Sequence, residues 1–344
     1  MKHFLICLLL LFIFPLQIQA ASNTTYTRAK ITAIRDQHVT LSVTEGNLKG
    51  RIFEATIASP GGKELEYQKG DAIFISYEKD KQSQEHVYIV DYVRSKQLLM
   101  LFFLFIALVF AVGRWKGVAS FAGMIFSFIV IMNLIIPNIL LGNDPVLIAL
   151  LGSLFILPVT FYISHGLNKK TTVALVGTFL SLAITGALAY LFVVLTRITG
   201  LAVEEATYLQ MIQGGALNVR NLLLAGIIIS AMGVLDDITI SQTAIVEQLS
   251  IANPKYSKWT LYKHAMEVGR DHIASLVNTL ILVYAGASLP LFLLFYNAKI
   301  SYISVINQEI VTIEIVRTLV SSIGIVAAVP ITTFITCMVM RKKG

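Results

Sequence analysis

Two periodicities divide the chain. From Ser22 to Lys96 apolar and polar positions alternate, as in YTRAKITAI, HVTLSV, RIFEATI, DAIFISY and HVYIVDYV. From Gln97 onward, long apolar runs are separated by short polar stretches. A period of two gives a strand one apolar and one polar face, so the first region predicts five short strands. Turn signals at Glu45-Gly46-Asn47, Ser59-Pro60-Gly61-Gly62 and Lys69-Gly70-Asp71 separate them. Strands of that number and length fit a small OB-like barrel, a fold that names no ligand by itself.

The apolar runs predict about seven transmembrane helices, near 97–113, 118–140, 146–164, 172–196, 219–241, 272–296 and 315–340. Composition agrees: 56% of residues are hydrophobic and 14% charged, against about a quarter charged in soluble domains. The fold class expected is a mainly α-helical membrane protein preceded by a small extracytoplasmic β-rich domain.

Residues 1–21 begin with Lys2 and His3, continue through an apolar stretch from Phe4 to Leu16 and end on Ala20 and Ala21. That is a secretory signal pattern, and its apolar core is shorter than the roughly 20 residues that span a bilayer. The organisation expected is a signal peptide over 1–21, an extracytoplasmic β-rich domain over 22–96 and a polytopic membrane domain over 97–344.

Charge tests that orientation independently. Export of the first domain makes the loops 114–117, 165–171 and 247–271 and the C-terminal tail cytoplasmic. Those segments hold Arg114, Lys116, Lys169, Lys170, Lys255, Lys258, Lys263, Arg270, Arg341, Lys342 and Lys343. The opposite side holds only Arg197, Arg220, Lys299 and Arg317, which is the positive-inside asymmetry. The net charge of +7 is therefore largely a topology signal. Eleven basic against ten acidic residues from Arg28 to Lys96 argue against a nucleic-acid surface. The partners expected are the lipid bilayer and, through residues 22–96, another protein; no oligomeric state is specified.

Cys7 and Cys337 both lie in apolar segments, so the exported domain holds no disulfide. His38 and His86 lack a third ligand at metal spacing. Asn23-Thr24-Thr25 matches a glycosylation sequon, a pattern common by chance.

The chemistry concentrates in MGVLDDITISQ, Met232 to Gln242, where two carboxylates interrupt an apolar run. A helix continuing past them aligns Asp236, Thr239, Thr243 and Glu247 on one face, with Asp237 and Ser241 on an adjoining one. Asp236 then lies roughly 27 Å along the span, toward its cytoplasmic end. The next span opens VGRDHIASLVNTLILVYAG, placing Asp271, Ser275 and Asn278 on one face and His272 and Thr279 on the next. Successive spans of opposite direction pack together, so Asp236, Asp237, Asp271, His272 and Asn278 are expected to converge on a cation or proton site open to the cytoplasm. Two readings stay open. If the span ends near Leu235, the pair sits among headgroups and Arg270 or Lys263 neutralises it as an interface salt bridge. His165, in a basic loop, and Asn133, in an apolar run, are expected to be structural, Asn133 through a helix-packing hydrogen bond.

GIIISAMGVLDDITISQTAIVEQL and HAMEVGRDHIASLVNTLILVYAGASLP together resemble the YibE/F-like family of multi-pass membrane proteins. The resemblance covers most of the membrane part. It implies a polytopic membrane protein without an established activity, and supplies no catalytic residue. The positions that match its signature are Asp236, Asp237, Gln242, Gly269, Arg270, Asp271, Asn278 and Thr279.

Enzyme readings fit poorly. GVLDD is not the glycine-aspartate pattern of intramembrane aspartyl proteases, and no Tyr-Asp pair lies in a span. Ile238, Thr239 and Ile240 after the carboxylates do not make DDxxD, and GxSxG, P-loop and HExxH patterns are absent. No cofactor is implied. Two functions remain: a secondary transporter or permease component binding a cation or proton at Asp236, Asp237, Asp271, His272, Asn278, Thr279 and Gln242, and a membrane scaffold or assembly factor in which polar residues only pair helices and Arg270 holds Asp236. Pro137, Pro158 and Pro290 mark possible breaks in the spans.

Overall fold

The computed structural model describes residues 25–35, 38–56, 67–79, 85–298 and 300–340, with the side chain of Met340 left aside. The expected signal peptide, Asn23 and the basic tail lie outside those residues. The chain divides into two compact units, 1–113 and 114–344.

In the first unit, β1 (Thr25–Arg35), β2 (His38–Val43), β3 (Ile52–Thr56), β4 (Ala72–Lys79) and β5 (Glu85–Tyr92) form one antiparallel sheet in the order β3-β2-β1-β4-β5. The five predicted strands are the five observed. Their inward residues, Ala29, Ile31, Val39, Leu41, Val43, Ala55, Ile73 and Ile75, make one buried core, the outcome that alternation requires. Register slips between Ile31 and Ala33 and between Phe74 and Ile75 bend the sheet. It curls into a half-barrel in which β3 and β5 approach each other without a shared ladder.

Side chains close the gap that the backbone leaves. Arg51, just before β3, donates from Nη2 to both carboxylate oxygens of Glu85 on β5, at 2.8 and 3.1 Å. The Tyr77 hydroxyl donates to Glu85 Oε1 at 2.9 Å. The Tyr77 hydrogen bond, then the Arg51 guanidinium, hold the Glu85 carboxyl below the usual glutamate range. A carboxyl depressed by folding contributes stability above its unfolded pKa, and that contribution is lost as pH falls through the folded value. Residues 22–96 expressed alone are expected to be soluble and β-rich by circular dichroism. Acid titration of their unfolding should show a shallower decline in Glu85→Gln than in the natural sequence. Asp91, lowered by its hydrogen bond from Arg94, supplies part of the remaining slope. A helical product, or equal slopes in the two proteins, contradicts this account of the seam.

The rest is helical: α1 (Ser95–Val130), a π-helical turn (Ile131–Ile135), α2 (Ile136–Leu140), α3 (Pro145–His165), α4 (Lys169–Leu195), α5 (Glu204–Ile212), α6 (Val219–Ala252), α7 (Lys258–Ala287), α8 (Leu289–Asn297), α9 (Tyr302–Ile306) and α10 (Glu309–Met340). Asp144, Asn168, Asn218 and Ser257 cap α3, α4, α6 and α7, each side chain accepting from a backbone N–H three residues on. Such caps satisfy amides that a helix start leaves unpaired.

Among the described residues, five helices are long and apolar enough to cross a membrane, or up to six when the bent pair α7–α8 counts as one span. The expectation was seven. The difference lies in Ser95–Leu140, one 46-residue element of roughly 69 Å at 1.5 Å per residue, over twice the hydrocarbon thickness. Arg114 inside it has φ 49° and ψ −136°, a non-helical break between the two expected spans. The sixth expected span is bent by 60° where α7 meets α8, with Pro290 opening α8.

The core of the second unit is the packing of α4, α6 and α10 on one another, with α3 against α6 and α7 against α10. Small residues decide how closely α4 and α10 approach. Gly177 of α4 faces Thr332 of α10, and Gly324 of α10 faces Thr185 of α4. Both helices thus carry a glycine and, eight residues later, a threonine, and antiparallel packing sets each threonine into the other's glycine. Ser181 and Ala328, both fully buried, occupy the midpoints. Close approach through small residues is how helices associate where water supplies no hydrophobic drive.

Candidate functional site

The helix does not end at Leu235. Helix α6 runs unbroken to Ala252, so Asp236 and Asp237 are interior residues of a 34-residue helix. The local sequence explains this, because Ile238 to Leu249 has no proline or glycine and keeps an apolar repeat through Ile238, Ile245, Val246 and Leu249. At 34 residues α6 is roughly 51 Å long, more than the hydrocarbon thickness, so its continuation past the pair does not by itself set the depth of the carboxylates.

The face predicted to hold Asp236, Thr239, Thr243 and Glu247 turns toward α4. Thr239 and Thr243 are fully buried, and Thr239 Oγ1 lies 2.6 Å from Thr178 Oγ1 of α4. Two turns on, Glu247 pairs with Lys170 of α4 at 3.0 Å. Asp236, one turn to the other side of Thr239, is partly buried, and its backbone carbonyl accepts from Thr239 Oγ1 at 3.1 Å. No ion pair to Asp236 is found among the described residues. Asp237, 100° round the helix, is exposed and within electrostatic reach of His165, at the end of α3, and His272 of α7.

The remaining predicted residues separate into two groups. Gln242 is fully buried and clamps three helices: its Nε2 donates to Ala265 O of α7 at 2.9 Å and to Thr333 Oγ1 of α10 at 2.8 Å. Gly269 makes room for it, since a methyl group there would meet Val329 and the Gln242 amide. Arg270, Asp271, Asn278 and Thr279 are exposed on α7, and Thr279 donates to its own helix at Ser275 O. Among the described residues, no hydrogen bond or ion pair joins Asp271, Asn278 or Arg270 to Asp236. Among them, too, no group of three or more His, Cys, Asp and Glu could hold a metal ion.

Two readings of single residues change. His165, expected to be an ordinary loop residue, comes within electrostatic reach of Asp237 and also packs edge-on to Phe161, at 6.4 Å between ring centres. Its sequence signal was weak, because only packing of α3 on α6 brings the two together. Asn133 does not pack helices: it is exposed, and its Nδ2 donates to Ile129 O of its own helix at 3.0 Å. Sequence reading also missed the hydroxyl-rich interior, where Ser321, Ser322 and Thr332 hydroxyls and Gln242 Oε1 are buried without hydrogen-bond partners among the described residues.

Long apolar helices, a core held by small and hydroxyl side chains and carboxylates set inside a helix point to the multi-pass membrane class. A model of the YibE/F-like protein family matches residues 101–342. The chain belongs to this family. No curated protein and no solved structure matches it.

Proposed function

We propose that this is a multi-pass cell-membrane protein acting as a secondary transporter or permease component, with Asp236 and Asp237 as a cytoplasm-facing proton site. One observation carries the reading: α6 continues through both carboxylates, with Asp236 partly buried and without an ion pair among the described residues, and Asp237 within electrostatic reach of the imidazoles of His165 and His272. Ionisable groups at membrane depth are costly and generally serve ion or proton movement. Imidazole exchanges protons near neutral pH, which favours a proton over a metal ion where the third metal-binding group is missing. Asp271, Asn278 and Thr279 line the exposed face of α7 in this reading, on the approach to the site. In this reading Ser95–Leu140 counts as two of seven crossings, which puts the two ends on opposite sides, and the excess of Lys and Arg in alternate loops sets the direction: residues 22–96 outside, available to a protein partner, and the C-terminus in the cytoplasm.

Reporter fusions after Lys96, Gly142 and Lys299 are expected to read external, and those after Lys170, Lys258 and Lys343 internal; one swapped pair rejects this topology. The function is tested in proteoliposomes containing a trapped pH indicator. An imposed potential should drive proton entry with the natural sequence, and Asp237→Asn and His165→Ala should each reduce it at least about tenfold, a loss of roughly 1.4 kcal/mol in the rate-limiting step. Equal flux in all three proteins, or in protein-free vesicles, ends the proposal.

The scaffold reading has its own support in Gln242. Its amide nitrogen is engaged by α7 and α10, so this member of the predicted site pairs helices. It therefore leaves the proposed proton site.

A further inference from the structure

Helix α8 departs from the line of α7 by 60°. A cavity of about 630 Å³ lies between α7 and α8 on one side and α9 and α10 on the other. Ile281, Tyr284, Phe292 and Phe295 face Ile315 and Leu319 across it. Folded interiors tolerate few voids larger than a water molecule, whereas sites for small molecules span about 300–1,000 Å³ with mainly apolar walls and a few polar groups. This cavity has that character and size.

Charge and position narrow the occupant. Among the described residues the one carboxylate in the wall, Glu314, is engaged by Arg317 of the same helix at 3.0 Å, so those residues present no free charge to an ion or charged solute. Tyr296 and Tyr302 also line the cavity and are 88% and 79% exposed. Tyrosines concentrate where a membrane meets water, with the ring in the apolar layer and the hydroxyl outside it. The cavity therefore has an apolar body and an interfacial mouth. We infer that it is a lateral lipid site holding an acyl chain of a membrane phospholipid, the glycerol and headgroup lying at the Tyr296 and Tyr302 end. This rests on the membrane reading given above.

The test uses the full chain in liposomes containing a phosphatidylcholine with a diazirine on one acyl chain. After irradiation and digestion, peptides within 281–319 should carry label several-fold above other lipid-facing segments. Ala285→Trp and, separately, Ile315→Trp fill the cavity from opposite walls, and each should cut that labelling at least about fivefold while labelling elsewhere is unchanged. Two variants on different helices guard against one that fails to fold, and melting temperatures identify the folded ones. Undiminished labelling in a folded filled variant overturns the site. Displacement of the label by excess free fatty acid, but not by unlabelled phospholipid, overturns the choice of phospholipid. Absence of label from every helix instead counts against the membrane reading itself, which the reporter fusions test separately.

Discussion

Gly324→Leu is expected to abolish recovery of folded protein from detergent, the largest structural loss predicted for any single substitution in the helical unit. A methyl group at Gly324 already overlaps the Thr185 hydroxyl and comes within 3.3 Å of Thr185 Cβ and Cγ2. Threonine cannot turn out of the way: its branched Cβ leaves either a methyl or a hydroxyl in that space. The hydroxyl is also held in place by its hydrogen bond to Ser181 O at 2.8 Å. Helices α4 and α10 must then separate along a seam that also holds Gly177 against Thr332. Overpacking a tight core costs about 1–3 kcal/mol per insertion and occasionally more. Leucine belongs at the upper end because no rotamer avoids the facing helix.

Gly324→Ala gives the measurable version. It should lower the melting temperature by about 2–4 °C for each kcal/mol in a unit of this size. Adding Thr185→Ala should restore most of the loss, since the hydrogen bond removed lies within one helix and its acceptor keeps its backbone partner. Because Gly177 and Thr332 repeat the arrangement with the helices exchanged, Gly177→Ala should be rescued by Thr332→Ala and not by Thr185→Ala. Thr332 Oγ1 has no hydrogen-bond partner among the described residues, so the second rescue should be the more complete one. Loss of specificity between the two rescues contradicts reciprocal seating.

That seam was not legible in the sequence. Glycine with serine or alanine and threonine at four-residue intervals recurs throughout apolar helices, and nothing local says that Gly177 will meet Thr332 far along the chain. What depends on neighbours was legible: alternation in HVTLSV gave a strand with Val39, Leu41 and Val43 inward. The break near Arg114 followed from charge alone, since a guanidinium divides two apolar runs. Direction across helices was harder. Spacing aligned Asp271 with Asn278 correctly, and both are exposed on α7, but spacing carries no information on which side of α7 meets the bundle. Gln242 shows the same limit, because a buried amide reads identically in a sequence whether it binds a ligand or clamps α7 and α10.

Asp236→Asn is expected to raise stability while removing proton movement. Taking a carboxylate out of water is costly unless a cation or several donors compensate it, and Asp236 has no ion pair among the described residues. Asparagine keeps the shape and removes the charge, so the melting temperature at neutral pH should rise, by about 2–4 °C if the relief is roughly 1 kcal/mol. The sign separates the two functions. A scaffold in which Arg270 neutralises Asp236 predicts the reverse: the substitution strands a cation, the protein melts lower, and added Arg270→Gln restores it. The exposed Arg270, without a bond to Asp236, favours the first outcome. Functional residues that lower stability are a recurrent consequence of building a charged site in an apolar setting. The decisive experiment therefore measures melting temperature and proton flux on the same preparations of the natural sequence, Asp236→Asn, Arg270→Gln and the double variant. Higher melting with lost flux in Asp236→Asn, additive with Arg270→Gln, supports a proton site; lower melting rescued by the second substitution, with flux unaltered, assigns Asp236 to helix pairing.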